Sequence, residues 1–330
     1  MKKFLIINTG GTFSSVATLQ GLAPGICADK ILSLLGEEKN QYLIDTQDYA
    51  SLDSANILPE DWVGIAHLIQ ENIQAYDGII IIHGTDTMAY TASMLSFMCM
   101  YAPIPIVLTG SQLSISAPLT DAIDNLRCAI KMADIGGGGV YVAFNRKIML
   151  GCRTAKVRTI SFDAFESINY PLVAESNAMG MMLYPQHHPI QGTFAFTPTF
   201  CNDVAVIKHF PGMNAEILPF LLEKGYRGFF IEGFGLGGVP FIQKDGMLKE
   251  ICKASEAGIP ILVGSQCRYE GSNLDVYETG KRVKECGGIP VHDMSQEATI
   301  TKLMWALGKT EDRVEIEKLF MTNLTNEVSL

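Results

Sequence analysis

The chain has 330 residues, 48% of them hydrophobic and 18% charged, which is long enough for two buried cores and too apolar for disorder. Its net charge of -10 argues against a general nucleic-acid binder, which needs a basic surface, and against docking on an anionic membrane. The eight cysteines occur singly, without C-x-x-C pairs or zinc-ligand spacing, and several lie in apolar runs, so reduced, unpaired thiols and a reducing compartment are expected.

Residues 4–7 are the only apolar stretch behind the leading Met-Lys-Lys, shorter than the roughly 7–15 residues of a signal-peptide core. No run approaches the roughly 20 apolar residues of a membrane span, and a cytoplasmic protein is expected.

Short β-rich runs alternate with helix-length segments from the start. FLIIN (4–8) ends at Thr9-Gly10-Gly11-Thr12, and YLIDTQD (42–48) leads to Asp53-Ser54-Ala55-Asn56. Pro59, Glu60 and Asp61 then open a helix whose apolar face is Trp62, Ile65, Ala66, Ile69 and Ile73. DGIIII (77–82) has the continuous apolar pattern of a strand buried on both faces. It stops at His83-Gly84-Thr85-Asp86-Thr87, after which a helix runs to about Tyr101. PIPIVLTG (103–110), a helix near 120–134 and the strand GGGVYVAF (137–144) continue the alternation.

The signals fade over 181–200, and the rhythm resumes with VAVIKHF, a helix near 214–224, GFFIEGFG, a helix near 246–257 and IPILVGSQ, ending in helices near 295–308 and 310–321. The pattern predicts two α/β domains. Residues 1–185 form a larger domain on a parallel-type sheet, 186–200 a linker, and 201–330 a smaller flavodoxin- or Rossmann-like domain.

In parallel sheets, sites form at the carboxyl ends of strands, and two such ends carry unusual loops. Thr9-Gly10-Gly11-Thr12 combines paired glycines with a hydroxyl, and His83-Gly84-Thr85-Asp86-Thr87 sets a hydroxyl beside a carboxylate at a helix start, where free N–H groups suit an anion. Either loop alone reads first as a tight turn or a helix cap, ahead of a site.

Together, TGGT (9–12) and HGTDTMAYTA (83–92) resemble the two signatures of the L-asparaginase family. SLDSANILPEDW (51–62), IVLTGSQ (106–112), GCRTAKVRTISFDAF (151–165) and EATITKLMWAL (297–307) resemble segments of its bacterial type I, cytoplasmic branch, in the same order. The resemblance implies hydrolysis of the side-chain amide of L-asparagine, with some activity on glutamine, through a threonine acyl-enzyme without metal or cofactor. It casts Thr12 as nucleophile and Thr85, Asp86 and Lys156 as a hydroxyl, carboxylate and lysine acting together. Ser54 would bind the substrate α-carboxylate and Asp86 its α-ammonium, with Gly11 and Asp53 also in the substrate site; a homodimer or homotetramer is implied.

The chemistry agrees, because a threonine hydroxyl needs a positioned base. Burial would fit Lys156 for that role, whereas an ion pair with Asp86 opposes it. Backbone N–H groups of Gly11 and Thr85 are candidate oxyanion donors. The family usually places a tyrosine beside the nucleophile; Leu22 stands in the corresponding stretch Gln20-Gly21-Leu22-Ala23-Pro24, so either another group, such as Tyr42, Tyr49 or a water, takes over or activity is reduced. Ala122 stands where glycine is common.

GFGLGG (233–238) satisfies G-x-G-x-x-G, but Pro240 follows and no acidic residue closes the next strand, so no nucleotide site is expected there. The resemblance implies an interface role for that loop, which in the family lies close to a neighbouring subunit's site. His83 is expected to be a structural hydrogen-bonding residue, and Glu232, Tyr269 and Tyr277 are candidates for lining a site from the second domain. Two rival functions are the asparaginase-like subunit of an archaeal tRNA-dependent amidotransferase, which carries an extra domain before its TGGT, and a non-catalytic asparagine or aspartate sensor.

Overall fold

The computed structural model describes residues 1–18, 21–25, 27–33, 35–187, 189–242 and 246–330, with the backbone alone at 16–18, 21–24, 29–30 and 38–39. Two compact units divide the chain, Met1–Pro198 and Thr199–Leu330.

The first unit begins with β1 (Lys3–Gly10), the hairpin β2 (Ser15–Thr18) and β3 (Gly21–Pro24), α1 (Ala28–Ser33) and β4 (Leu43–Leu52). Next come α2 (Pro59–Asn72), β5 (Gly78–Ile82), α3 (Met88–Met98), the two-residue β6 (Cys99–Met100), β7 (Pro105–Thr109), α4 (Ala122–Ile135) and β8 (Gly139–Phe144). Short strands finish it: β9 (Lys147–Leu150), β10 (Thr154–Lys156), β11 (Phe165–Ser167), β12 (Ala174–Asn177), β13 (Gly180–Leu183) and β14 (Ala195–Phe196).

Eight strands form the main sheet in the order β13-β12-β9-β8-β7-β5-β1-β4. From β4 to β8 neighbours are parallel; β9, β12 and β13 are each antiparallel to the strand before them. The parallel part is made of the apolar runs expected from sequence, and Ile79, Ile80, Ile81 and Ile82 are fully buried, as a strand covered on both faces requires. The antiparallel extension was not expected. Its β8–β9 turn, Asn145-Arg146, has φ of 49° and 64°, a hairpin conformation usually announced by Asn-Gly.

Helix α2 buries the expected face, Trp62, Ile65, Ala66 and Ile69, and its start is held by a Leu58 N–H donated to Asp61 Oδ2 at 2.8 Å. Helix α3 stops before the expected Tyr101 because Cys99 and Met100 pair with Phe196 and Ala195, and Tyr101 itself turns to φ 58°.

The second unit carries a four-stranded, all-parallel sheet, β15 (Val204–Lys208), β16 (Gly228–Gly233), β17 (Ile261–Ser265) and β18 (Ile289–Pro290), in that order. Helices α5 (Ile217–Glu223), α6 (Met247–Glu256), α7 (Glu278–Glu285), α8 (Gln296–Lys309) and α9 (Arg313–Phe320) complete its α/β, Rossmann-like architecture. Its core joins Ile207, Leu218, Phe229, Ile231, Ile251 and Val263. Helix α7 escaped the sequence because it buries only Gly280 and Val283.

Cys252 on α6 and Cys286 at the end of α7 form a disulfide with a Cα–Cα distance of 4.4 Å, which corrects the expectation of unpaired thiols throughout. The partners lie 34 residues apart, and nothing in their local sequence distinguishes them from the free cysteines. Among the described residues no helix is long and apolar enough to cross a membrane.

Candidate active site

The loops that follow β1, β4 and β5 touch through their backbones. A Cβ on Gly11 would lie 2.3 Å from Gly84 Cα, and one on Gly84 would lie 2.6 Å from Ser54 Cβ and Oγ. Only glycine fits such an approach, and Gly10 and Gly11 also have φ of +106° and +79°. Thr12 and Thr85 thus each follow one of two touching glycines.

The first loop is tied down on several sides. Asn8 Nδ2 donates to Asp48 Oδ1 at 2.8 Å, Thr9 Oγ1 to the Ile82 carbonyl at 2.9 Å, and Ser15 Oγ to the Gly11 carbonyl at 2.7 Å. Thr12 itself is half-buried, and no described residue bonds its hydroxyl. The Gly11 N–H donates to the Leu52 carbonyl at 2.8 Å, which corrects its casting as an oxyanion donor. The N–H groups of Thr12 and Thr85 have no described acceptor and are the donors left to a developing oxyanion.

Lys156 is the last residue of β10, paired across the hairpin with Phe165. Its Nζ donates to Thr85 Oγ1 at 2.8 Å and to Asp86 Oδ1 at 2.6 Å. The amine end of this pair is enclosed and the carboxylate end open, with side-chain exposures of 16% and 62%. Asp86 and Lys156 lie 70 residues apart in sequence, and the fold assembles them with Thr85 into one cluster.

Ser54 is buried and accepts the Asp86 N–H at 3.2 Å on its Oγ, while its carbonyl accepts from Thr87 Oγ1 at 2.8 Å. The Ser54 hydroxyl keeps its own proton for another acceptor. Asp53 is exposed and caps the short turn Ser54–Asn56, its Oδ1 accepting from Ala55 N at 2.9 Å.

His83 is fully buried, and burial pushes its imidazole down to about 4, against weaker opposing effects of the Gly84 hydrogen bond and the Asp61 charge. Its Nδ1 lies 2.7 Å from the Gly84 carbonyl, which can only accept, so Nδ1 carries the proton. Nε2 then accepts from Thr91 Oγ1 at 2.9 Å, and Thr91 in turn accepts from Trp62 Nε1 at 3.0 Å. The histidine is structural, as expected, and it buttresses the Gly84 peptide.

Gln112, which sequence reasoning passed over, reaches the same cluster. Thr85 Oγ1 lies 3.5 Å from its Oε1, and its Nε2 donates to the carbonyls of Thr159 and Ser161 at 3.2 and 2.9 Å. Its signals were its place just past the parallel strand β7 and at the end of the segment IVLTGSQ (106–112).

The expected stand-ins for the family's tyrosine are committed elsewhere. Tyr42 precedes β4 at the amino edge, about 20 Å of strand away from Gly10, and donates to Asp134 Oδ2 at 3.0 Å. Tyr49 donates to Asp61 Oδ1 at 3.3 Å and lies against Gly64. Gln20 and the Leu22 side chain lie outside the described residues. Ala122 is fully buried at the start of α4.

In the second unit, GFGLGG closes on itself through a Phe234–Gly238 bridge, and no helix begins there, since α6 starts at Met247. The loop thus lacks the helix N-terminus that a pyrophosphate would need. Glu232 is buried, and burial raises its carboxyl above the usual range; Tyr269 and Tyr277 are exposed. Among the described residues no group of three His, Cys, Asp or Glu is placed to hold a metal.

Comparison with known proteins agrees with this geometry. The family model "Asparaginase, N-terminal" matches residues 3–188, and "Glutaminase/Asparaginase C-terminal domain" matches 203–320. An L-asparaginase of Thermococcus kodakarensis is 42% identical over 99% of both chains, and its solved structure superposes with a TM-score of 0.94. The structure of L-asparaginase I from Vibrio cholerae is 30% identical with a TM-score of 0.91, covering 100% of this chain and 99% of that one. A subunit of the glutamyl-tRNA(Gln) amidotransferase of Pyrococcus horikoshii is 33% identical over 98% of this chain and 76% of its own length. Archaeal and bacterial relatives alike share the whole fold, so the expected restriction to a bacterial branch widens, and the chain belongs to the asparaginase family.

Proposed function

We infer that the chain hydrolyses the side-chain amide of L-asparagine to aspartate and ammonia through an acyl-enzyme on Thr12. The observation that carries this is the Lys156 amine bonded at once to Thr85 Oγ1 and Asp86 Oδ1, next to the glycine contact that brings the Thr12 loop alongside. Asp86 Oδ1 is taken by Lys156, which leaves Oδ2 on the open side for the substrate α-ammonium. Ser54, its oxygen occupied by the Asp86 N–H, turns its proton to the α-carboxylate. Gly11 and Asp53 shape this end of the pocket rather than bond the substrate with the groups that already serve the fold.

With both ends of the amino acid held, the side-chain amide carbon lies before the Thr12 hydroxyl. Attack moves the hydroxyl proton to Thr85 and on to an unprotonated Lys156, while the oxyanion takes the Thr12 and Thr85 N–H groups. Ammonia leaves with a proton returned along the same route, and water repeats the sequence on the ester. None of these steps draws on a metal or organic cofactor. We further propose a type I, cytoplasmic enzyme that works as a homodimer or homotetramer, with minor activity on glutamine.

The test is ammonia release from asparagine and, separately, glutamine by the wild type and Thr12→Ala. Release from asparagine that vanishes in the variant is the expected result. A folded wild type that binds aspartate but releases nothing would instead favour a sensor, and preference for glutamine would favour the tRNA-dependent amidotransferase reading.

A further inference from the structure

We propose that Gln112 is a positioning residue for this hydrolysis, fixing the Thr85 hydroxyl through its side-chain carbonyl. The proposal rests on the amidohydrolase reading and adds a member that the sequence motifs do not assign.

The backbone N–H and the side-chain Nε2 of Gln112 are both spent on the scaffold. The N–H donates to both carboxylate oxygens of Asp121, at 3.1 and 3.0 Å, and Asp121 is itself held by the Leu113 N–H and by Asn125 Nδ2. Asn125 Nδ2 also donates to the Gly110 carbonyl at 2.9 Å, so the turn that carries Gln112 is pinned from below. The two protons of Nε2 go to the carbonyls of Thr159 and Ser161. Exchanging the amide oxygen and nitrogen would set oxygen against two carbonyls, so Oε1 must face Thr85.

Thr85 Oγ1 already accepts from Lys156 Nζ, and its own proton needs an acceptor. Among the described residues Gln112 Oε1 is the one in reach, at 3.5 Å. That is long for an O–H···O bond, and such contacts often tighten only when substrate is bound. While Lys156 is charged, the Thr85 proton is turned to Gln112 and a lone pair to the amine; once the amine is unprotonated, rotation carries that proton to it, so the hydroxyl moves between two set directions instead of freely. A relay whose central hydroxyl is pre-set loses less entropy on the way to the transition state. The same amide also holds residues 159–161, three to five positions beyond Lys156, so a purely structural role must be separated from this one.

Two variants separate them. Gln112→Glu keeps an acceptor for the Thr85 proton and loses both donors to 159–161, whereas Gln112→Met loses both functions at nearly constant volume. For ammonia release from asparagine, Gln112→Met should lower kcat about tenfold with KM within about twofold, and Gln112→Glu should restore most of that loss, a share of the ~10²–10⁴ general-base contribution. Equal losses in both variants would make Gln112 a loop staple and overturn the proposal, as would an unchanged kcat in Gln112→Met. A crystal structure of the wild type with aspartate supplies a readout independent of turnover. The Thr85–Gln112 contact should shorten to the ordinary range of about 2.7–3.0 Å, and a Gln112 amide rotated away from Thr85 would overturn the proposal even in an active enzyme. A wild type that releases no ammonia counts against the hydrolase reading alone, because the aspartate complex still decides the contact.

Discussion

Acid should loosen the first unit through one residue, His83. The neutral ring satisfies every partner: Nδ1–H to the Gly84 carbonyl, Nε2 from Thr91, and Trp62 Nε1 closing the chain on Thr91. A second proton on Nε2 would meet the Thr91 proton already lying in their shared bond, and would place a charge inside a fully buried site. Burial therefore holds the folded imidazole down at about 4, against an ordinary 6.5. The unfolded chain takes up a proton near 6.5 and the folded one does not until about 4. The stability is complete above the unfolded value and is lost as pH falls through this window. At about 1.4 kcal/mol per pH unit, the loss reaches about 3 kcal/mol by the lower end. Urea unfolding of wild type and His83→Gln at several pH values from 7 to 4, read by tryptophan emission, measures it, since Trp62 is the unit's own reporter. Carboxylates and the other histidines titrate alike in both proteins, so the difference isolates His83. Its expected course is flat above 6.5 and then a relative loss of about 3 kcal/mol in the wild type by pH 4. Parallel curves for the two proteins across that range would refute the reasoning.

Two further outcomes follow from covalent and steric features. The Cys252–Cys286 disulfide closes a loop across a 34-residue separation, for which chain entropy suggests about 3–4 kcal/mol; reductant or Cys252→Ser should lower the melting temperature of the second unit, and coincident melting curves would show that the bond contributes nothing there. Gly84→Ala would drive a methyl group to 2.6 Å from Ser54, which can yield only by shifting the residue that holds the Asp86 N–H. Overpacking of about 1–3 kcal/mol should appear chiefly as a raised KM for asparagine, and a variant with unchanged KM would mean that Ser54 can move without harm.

How much was legible in the sequence follows the physics of each element. Strands buried on both faces, such as GIIII, must be apolar throughout, so β1, β5, β7 and β8 stood out. Strands β12 and β13, AESN and GMML, are four residues long and mostly half-buried or exposed, too short and too weakly buried for a periodic signal. Helix α7 was missed for the same reason. Among the expected site residues, Thr12, Thr85, Asp86 and Lys156 were picked out through motifs, and the Lys156 bonds bring the last three together. Tyr42 failed as a stand-in because it sits at the amino end of β4, and Tyr49 because its hydroxyl is committed to Asp61. Gln112 and the Gly11 N–H were beyond sequence: what each does depends on where its other hydrogen bonds go, to Thr159, Ser161 and Leu52 respectively.

The position of the site has a reason independent of any motif. Strand β1 lies between β4 and β5, so the chain leaves β1, pairs on one side of it, and returns on the other. Connections that depart in opposite directions from neighbouring parallel strands open a crevice at their carboxyl ends, where ligands of α/β proteins bind. Here that crevice lies among the loops holding Thr12, Ser54 and Thr85, and their glycines close it to backbone contact. Lys156 enters on a separate hairpin, β10–β11, outside the parallel sheet. The proposed recognition groups Ser54 and Asp86 thus stand on loops fixed by sheet topology, and the lysine on an element whose register could vary without disturbing that sheet. Such a division lets the proposed amino-acid-binding end be set by the fold while the proposed base is placed by local contacts, of which the Thr85 and Asp86 bonds are the ones that fix its amine.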